Sequence, residues 1–415
     1  MQNTHIVLRM PNPADEEFPG VGSFGVTRHF SSETEAEATI EFETLDANGR
    51  QEIARDPTVR AIAPDMPTRL IAPLADMGLA DATTAWGIDA VGASNSALTG
   101  AGTRVAVLDT GVDAGHKAFA GVTFTQRDFS GDGDGDLNGH GTHCAGTIFG
   151  RDVEGTRIGV APGVTDVLIG KVLGNDGGGS SKMIFDAIEW AAREEADVIS
   201  MSLGFDFPGF VAWLVNNGWP LDVATSAALV GYRENLRMFD ALMEVVQARA
   251  MLGNSSVVVA AAGNESRRND NPNFEVSASL PAAAEDVISV AAAGQGRDGY
   301  RIAYFSNTDA TITGPGVNIL SAASGGGLKT LNGTSMACPH VAGVAALLWQ
   351  EVRDDAAVPS DAETVRARLR VRARVDGFAP DTDLADRGAG MAFVGGSPGP
   401  AVADAETDAF EGQPV

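Results

Sequence analysis

Four short segments carry side chains suited to one kind of chemistry, nucleophilic acyl transfer. The first, Val105-Ala106-Val107-Leu108-Asp109-Thr110-Gly111, is an apolar run that delivers a carboxylate at its end. The second, Asn138-Gly139-His140-Gly141-Thr142-His143-Cys144-Ala145-Gly146, sets two imidazoles among glycines. The third, Ala261-Ala262-Gly263-Asn264, places a side-chain amide after another apolar run. The fourth, Asn332-Gly333-Thr334-Ser335-Met336-Ala337-Cys338-Pro339-His340, leads into the apolar helical run Val341–Trp349. A serine hydroxyl is a poor nucleophile until a nearby imidazole takes its proton. That imidazole must keep the right tautomer, and a buried carboxylate holds it. The tetrahedral intermediate then needs donors for its oxyanion, and the Ser335 N–H and the Asn264 amide are suited to this. Pro339 fits a first helical turn, where a missing N–H costs nothing. Ser335 is thereby expected at a helix N-terminus, where N–H groups and the helix dipole favour negative charge. Each segment alone has a plain explanation. Many buried strands end in Asp, a glycine-flanked His can be structural or metal-binding, and Gly-Asn is common in turns. The four together, in the order Asp, His, Asn, Ser, point to a serine hydrolase.

Elements able to position these groups are visible around them. Arg104–Leu108, Val167–Leu173, Val198–Leu203, Val257–Ala262, Val287–Ala293 and Val317–Ala322 are apolar and rich in β-branched residues. Runs apolar on both faces read as strands buried in a parallel sheet. Met183–Glu194 and Ala227–Met251 have helical spacing. The alternation gives an α/β fold, a mostly parallel sheet flanked by helices, with active groups at the carboxyl ends of its strands. Residues 1–71 differ. There His5–Met10, Ala38–Leu45 and Val59–Ala63 are short strand-like runs broken by Pro, Gly and acids, which predicts a small α+β domain. A Pro-containing stretch with Pro64, Pro67 and Pro73 follows. Residues 396–415 hold little to bury and read as a flexible acidic tail.

Over residues 85–395 the Asp, His, Asn and Ser segments resemble the subtilisin-like (subtilase) serine proteases. The resemblance implies that His140, not His143, is catalytic, and that Asp109, Ser335 and Asn264 complete the machinery. It implies that Gly177, Gly178 and Gly179 pair with the substrate backbone on one side and Ser202, Leu203 and Gly204 on the other. A first pocket would be walled by Ser202–Gly204 and by Ala261, Ala262 and Gly263, small residues that favour an apolar side chain. Asp56–Asp65 is similar to the closing strand of a subtilase propeptide. Residues 1–71 would then be a propeptide held in the cleft, and cleavage is expected after Leu70 or Ile71. The segment 72–395 would be the peptidase, acting on proteins or peptides. Between Leu203 and Val257 the chain is longer than the family usually is. The extra part, about 205–253, contains Trp213 and Trp219, read as core, with a lid or substrate shelf as the alternative.

Composition narrows the partners. The 415 residues have a net charge of −26, which argues against nucleic acid and against an anionic membrane surface. No run of about 18 apolar residues occurs, so no membrane-spanning helix is expected. Met1–Pro11 lacks a basic start and an apolar core, so no leader is read and a cytoplasmic site is expected, or secretion if a leader has been removed. Cys144 and Cys338 lie in small, apolar runs and read as buried free thiols. No cofactor is expected for the chemistry. Structural calcium is conceivable at Asp132-Gly133-Asp134-Gly135-Asp136, but the Glu of an EF-hand is missing and an acidic turn fits better. Two rival readings are a catalytically dead scaffold and a dinucleotide-binding oxidoreductase. The first is opposed by the complete set of reactive groups. The second is opposed by the lack of a glycine fingerprint after the first strand.

Overall fold

In the α/β part of the chain, successive residues of each strand alternate between two cores. In β5 the side chains of Val105 and Val107 enter one, and those of Ala106 and Leu108 the other. This is the period-two geometry of a strand covered on both faces. The computed structural model describes residues 3–11, 38–74 and 85–395. The expected tail, 396–415, lies outside the described residues.

Near the N-terminus, β1 (Asn3–Arg9) is flanked by β2 (Thr39–Leu45) and β3 (Val59–Pro64) in an antiparallel sheet. Helix α1 (Ala47–Ile53) lies between β2 and β3 in sequence and is capped by the Asp46 side chain on Asn48 N and Gly49 N. One face of this sheet, with Ile6, Leu8 and Ala63, shares a core with Phe185, Phe239 and their neighbours in the α/β part of the chain. The chain then enters β4 (Pro67–Leu70) and, beyond the short helix α2 (Trp86–Ala90), the central sheet.

That sheet contains β5 (Arg104–Asp109), β6 (Thr123–Asp128) and β7 (Asp166–Lys171), which run parallel. Next in sequence is the short β8 (Gly178–Ser180), which lies in a different sheet. Strand β9 (Val198–Met201) returns to the centre, and β10 (Leu203–Phe205) leaves it. Strands β11 (Val257–Ala261), β12 (Val287–Gly296), β13 (Gly299–Ile302) and β14 (Ile312–Pro315) complete the sheet. Its strand order is β13-β12-β11-β9-β5-β7-β6, with β14 also on β12, and only β13 is antiparallel. Helix α3 (His140–Phe149) follows β6, α4 (Ser181–Arg193) follows β8, and α5 (Phe207–Asn216) and α6 (Leu221–Ala248) form the inserted segment. Helices α3 and α7 (Thr334–Asp354) line one core, and α4 and α6 line the other, giving three layers. No helix among the described residues is long and apolar enough to cross a membrane.

Four expectations are corrected. The run at Val317–Ala322 does not join the parallel sheet. Only Ile319–Ala322 is strand, β15, and it pairs antiparallel with β16 (Leu328–Leu331). Its place in the sheet is taken by β14, which ends in Pro315, a residue with no N–H to extend the ladder. The long helix starts at Leu221, directly after Pro220, and stops at Ala248, not at Met251. Trp213 is not core: it is 58% exposed and stacks on Phe210 with ring centroids 6.0 Å apart. Trp219 packs against a small cluster around Leu214, Ala224 and Ala228. Finally, Pro339 is not in the first turn of its helix, since α7 begins at Thr334.

Candidate active site

Asp109 is the last residue of β5 and His140 the first of α3, so the parallel sheet and the following helix bring them together. His140 Nδ1 lies 2.8 Å from Asp109 Oδ1, and both side chains are 1% exposed. Asp109 Oδ1 also accepts the N–H of Thr110 at 2.7 Å. With Nδ1 engaged, Nε2 of His140 is buried and has no hydrogen-bond partner. The close approach of the two loops requires Gly141, because a Cβ there would stand 2.2 Å from the Gly111 carbonyl oxygen. His143 faces elsewhere. Its Nε2 lies 3.1 Å from both the Ile319 and Lys329 carbonyls, and burial, reinforced by neighbouring His140, pushes its pKa down to about 3. It is a neutral, structural imidazole. His340 is similar: its Nδ1 donates to the Met336 carbonyl at 2.8 Å, and burial lowers its pKa to about 4.

A carboxylate outside the motifs binds these loops together. Asp136 is 4% exposed. Its Oδ1 accepts from Thr110 Oγ1 at 2.9 Å and from Gly139 N at 2.8 Å. Its Oδ2 accepts from Thr142 N at 2.8 Å and Thr142 Oγ1 at 2.6 Å. Thr110 Oγ1 in turn accepts from Gly141 N at 2.9 Å. Asp136 therefore joins the residue after Asp109 to the residues on either side of His140. The neighbouring acids are also occupied. Asp128 accepts from Ser130 N, Gly131 N and Gly133 N, and Asp132 Oδ2 accepts from Asn175 N. Asp136 and Asp128 are thus taken up by the donors of an acidic turn, while Asp132 and Asp134 are exposed. Among the described residues one group of metal-capable side chains gathers, Asp109, His140 and Cys144, and it coincides with the site.

Ser335 is the second residue of α7 and is fully buried. Proline at position 339 removes the N–H that would bond the Ser335 carbonyl four residues earlier. Two other donors take that carbonyl, Ser202 Oγ at 3.1 Å and the Cys144 thiol at 3.4 Å. The proline is tolerated inside the helix for this reason, and Ser335 is tied to both neighbouring segments. Both thiols are unpaired and buried. Burial raises the Cys144 pKa well above the ordinary thiol range and that of Cys338 to about 11, so both stay protonated at neutral pH. Asn264 is oriented by Thr334, whose N and Oγ1 both donate to Asn264 Oδ1 at 2.9 Å. The fold of this turn needs Gly263, which has φ +117° and whose Cβ would meet Asn307 Nδ2 at 2.3 Å.

The chain's own residues 67–72 lie in the groove. Strand β4 is the middle of an antiparallel sheet in the order β10-β4-β8. Leu203 pairs with Leu70 and Gly204 with Arg69; on the other side Gly179 pairs with Thr68 and Gly178 with Arg69. Leu70 N donates to the Gly177 carbonyl at 2.8 Å. Ile71 is 4% exposed, and a Cβ at Gly204 would sit 3.3 Å from its Cγ1. Ser335 Oγ donates to the Ile71 carbonyl at 3.0 Å and also lies 3.4 Å from the Ser202 carbonyl. Asn264 Nδ2 donates not to that Ile71 carbonyl but to the next one, Ala72 O, at 3.1 Å. Ala261, Ala262 and Gly263 close the end of β11 beside this point, with Gly263 N donating to Thr334 Oγ1 at 3.2 Å. Ser335, Asn264, Gly177–Gly179 and Ser202–Gly204 thus lie along the segment 67–72, whereas Trp213 is exposed on the inserted helix α5. Sequence reasoning passed over Asp136, Thr110 and Thr334; the available signal was the position of two threonines directly after Asp109 and before Ser335.

The subtilase family matches residues 100–394, a span that contains Asp109, His140, Asn264 and Ser335. The chain belongs to the subtilase family. This subtilase is 36% identical over 257 residues to an intracellular serine protease of Paenibacillus polymyxa, covering 60% of this chain and 68% of that one. The major intracellular serine protease of Bacillus subtilis (strain 168) is 36% identical over 260 residues, 60% of this chain and 69% of its own. The subtilisin-like serine protease Pen c 1 of Penicillium citrinum is 31% identical over 344 residues, 79% and 72% of the two chains. The protein is a subtilisin-like serine endopeptidase, a hydrolase of peptide bonds.

Proposed function

We propose that Ser335 is the nucleophile of this subtilase, His140 its general base and then general acid, and Asp109 the carboxylate that orients and charge-stabilises His140. The observation that carries the reading is the buried 2.8 Å contact of His140 Nδ1 with Asp109, with Ser335 Oγ already on a peptide carbonyl. The Ser335 hydroxyl turns from the Ile71 carbonyl to the free Nε2 of His140. His140 takes its proton as Oγ attacks the carbonyl carbon. The oxyanion is held by the Ser335 N–H and by Asn264 Nδ2, which shifts to it from the Ala72 carbonyl. His140 then gives its proton to the leaving amine, and water releases the acyl group by the reverse steps. Substrate pairs as an added strand between Gly177–Gly179 and Ser202–Gly204, and its side chain on the acyl side enters a small, apolar pocket.

Residues 1–71 are, in this reading, a propeptide. Their sheet rests on α4 and α6, and their last residues pass through the groove as a first substrate. The bond cut is Ile71–Ala72, because Ile71 is the buried residue whose carbonyl meets Ser335. The chemistry draws on this chain's groups and water alone. An intracellular setting belongs to the same reading, since two relatives are named as intracellular and both thiols here are unpaired. Fluorophosphonate labelling tests the assignment. Processed enzyme is expected to be labelled at Ser335 with loss of peptidase activity; an unlabelled Ser335 in active enzyme would refute it.

A further inference from the structure

In the groove, Arg69 is the third residue on the acyl side of the Ile71–Ala72 bond, and it pairs with Gly204 and Gly178 through its backbone. Its side chain is not left to solvent. Arg69 Nη1 lies 2.9 Å from Asp206 Oδ2. Asp206 follows β10 directly and opens the inserted helical segment. Its carboxylate is held in place, since Oδ1 accepts Gly209 N at 2.9 Å as the cap of α5. Gly209 permits this fold, because a Cβ there would collide with the same carboxylate. The acid is thus anchored to the strand that binds substrate and is 19% exposed, against 53% for Arg69.

We infer that Asp206 is a specificity-determining residue, which selects Arg or Lys at the third position on the acyl side of the cleaved bond. The inference rests on the proposed reading of residues 67–71 as a bound substrate segment. A preformed carboxylate at fixed distance from the backbone ladder recognises a cation without reorganisation. The partial exposure of the pair limits the gain to that of a surface ion pair, about two- to fivefold in kcat/KM. The overall charge of −26 acts in the same direction for cationic segments.

The test uses processed enzyme and peptides that differ only at this position, carrying Arg, Gln or Glu. Wild-type enzyme is expected to rank them Arg above Gln above Glu, with the spread shrinking at high salt. Asp206→Asn keeps an oxygen for Gly209 N and removes the charge, so its ranking should collapse. Fluorophosphonate labelling of the variant confirms that it is folded. A flat ranking in wild-type enzyme, or a ranking unchanged in Asp206→Asn, overturns the inference while leaving the proposed function standing. Failure to cleave any of the peptides, or cleavage surviving Ser335→Ala, would instead overturn the proposed function.

Discussion

Replacing Asp136 with Asn is expected to damage both stability and turnover, although the residue touches no substrate. The carboxylate accepts from Thr110 Oγ1 and Gly139 N on one oxygen and from Thr142 N and Oγ1 on the other. An amide offers one acceptor oxygen and turns donors toward the other pair. A threonine hydroxyl can rotate and accept, but a backbone N–H cannot. Whichever way the amide points, one N–H, the half-buried one of Gly139 or the buried one of Thr142, is left facing another donor. An unsatisfied buried donor costs about 1–3 kcal/mol, and the surviving bonds lose the assistance of the negative charge. A loss of roughly 2–4 kcal/mol follows. Urea unfolding should be measured in the Ser335→Ala background, where self-digestion is absent, and a lower midpoint at unchanged slope is expected. In otherwise wild-type enzyme kcat should fall more than KM rises, because the network sets the geometry of His140 and not the binding strands. A variant within about 0.5 kcal/mol of the parent, with kcat within twofold, would show that Asp136 is an ordinary turn residue.

Three further outcomes are expected. Asn264→Ala should lower kcat by roughly 10²–10³ with little change in KM, the range typical of removing one oxyanion donor; a rise in KM at constant kcat would make it a ground-state binding group. His143 is held near a pKa of about 3, below its ordinary 6.5, so the unfolded chain binds a proton that the folded chain refuses. Its cost to stability is absent above about pH 6.5 and grows as pH falls toward 3, reaching about 3 kcal/mol at pH 4.5. His143→Gln in the Ser335→Ala background should flatten this acid slope, and an unchanged urea midpoint profile between pH 4.5 and 7 would contradict it. Asn235, fully buried in α6, donates to the Pro64 carbonyl at 2.9 Å. Asn235→Ala should weaken inhibition of the processed enzyme by an added 1–71 segment about five- to thirtyfold, measured as Ki, and an unchanged Ki would show that the Asn235–Pro64 bond adds nothing to docking of that segment.

The candidate reactive groups are legible in the sequence because each sits at a strand end or helix start with its own local pattern. Asp109 closes an apolar run, His140 is bracketed by glycines, and Ser335 precedes a long apolar helix. The pairing of Gly177–Gly179 and Ser202–Gly204 with a substrate strand is what the resemblance implies; the chain's own β4 lies between β8 and β10, and its reading as a substrate strand belongs to the proposed function. What was not readable depends on partners distant in sequence. Helix-start preferences put Pro339 in a first turn because they carry no information about Ser202 and Cys144, the donors that free it to lie deeper. Asp136 looked like one acid of a solvated series, since its donors at Thr110 and Thr142 meet it only after β5 and α3 are packed. Trp213 follows a helical pattern, but periodicity cannot say which side is covered, and its ring stays exposed on α5. The run after Pro315 kept its β-branched character while the proline ended its strand and moved it out of the sheet.

In the proposed mechanism Ser335 attacks the Ile71 carbonyl of its own chain. N-terminal sequencing and intact mass of wild-type and Ser335→Ala protein, purified side by side, test it most directly. Wild-type protein should yield a fragment that begins at Ala72, and the Ser335→Ala chain should stay uncut between Ile71 and Ala72. A Ser335→Ala chain cut at the same bond at the wild-type rate, or a fully active wild-type enzyme with residues 1–71 still attached, would contradict it.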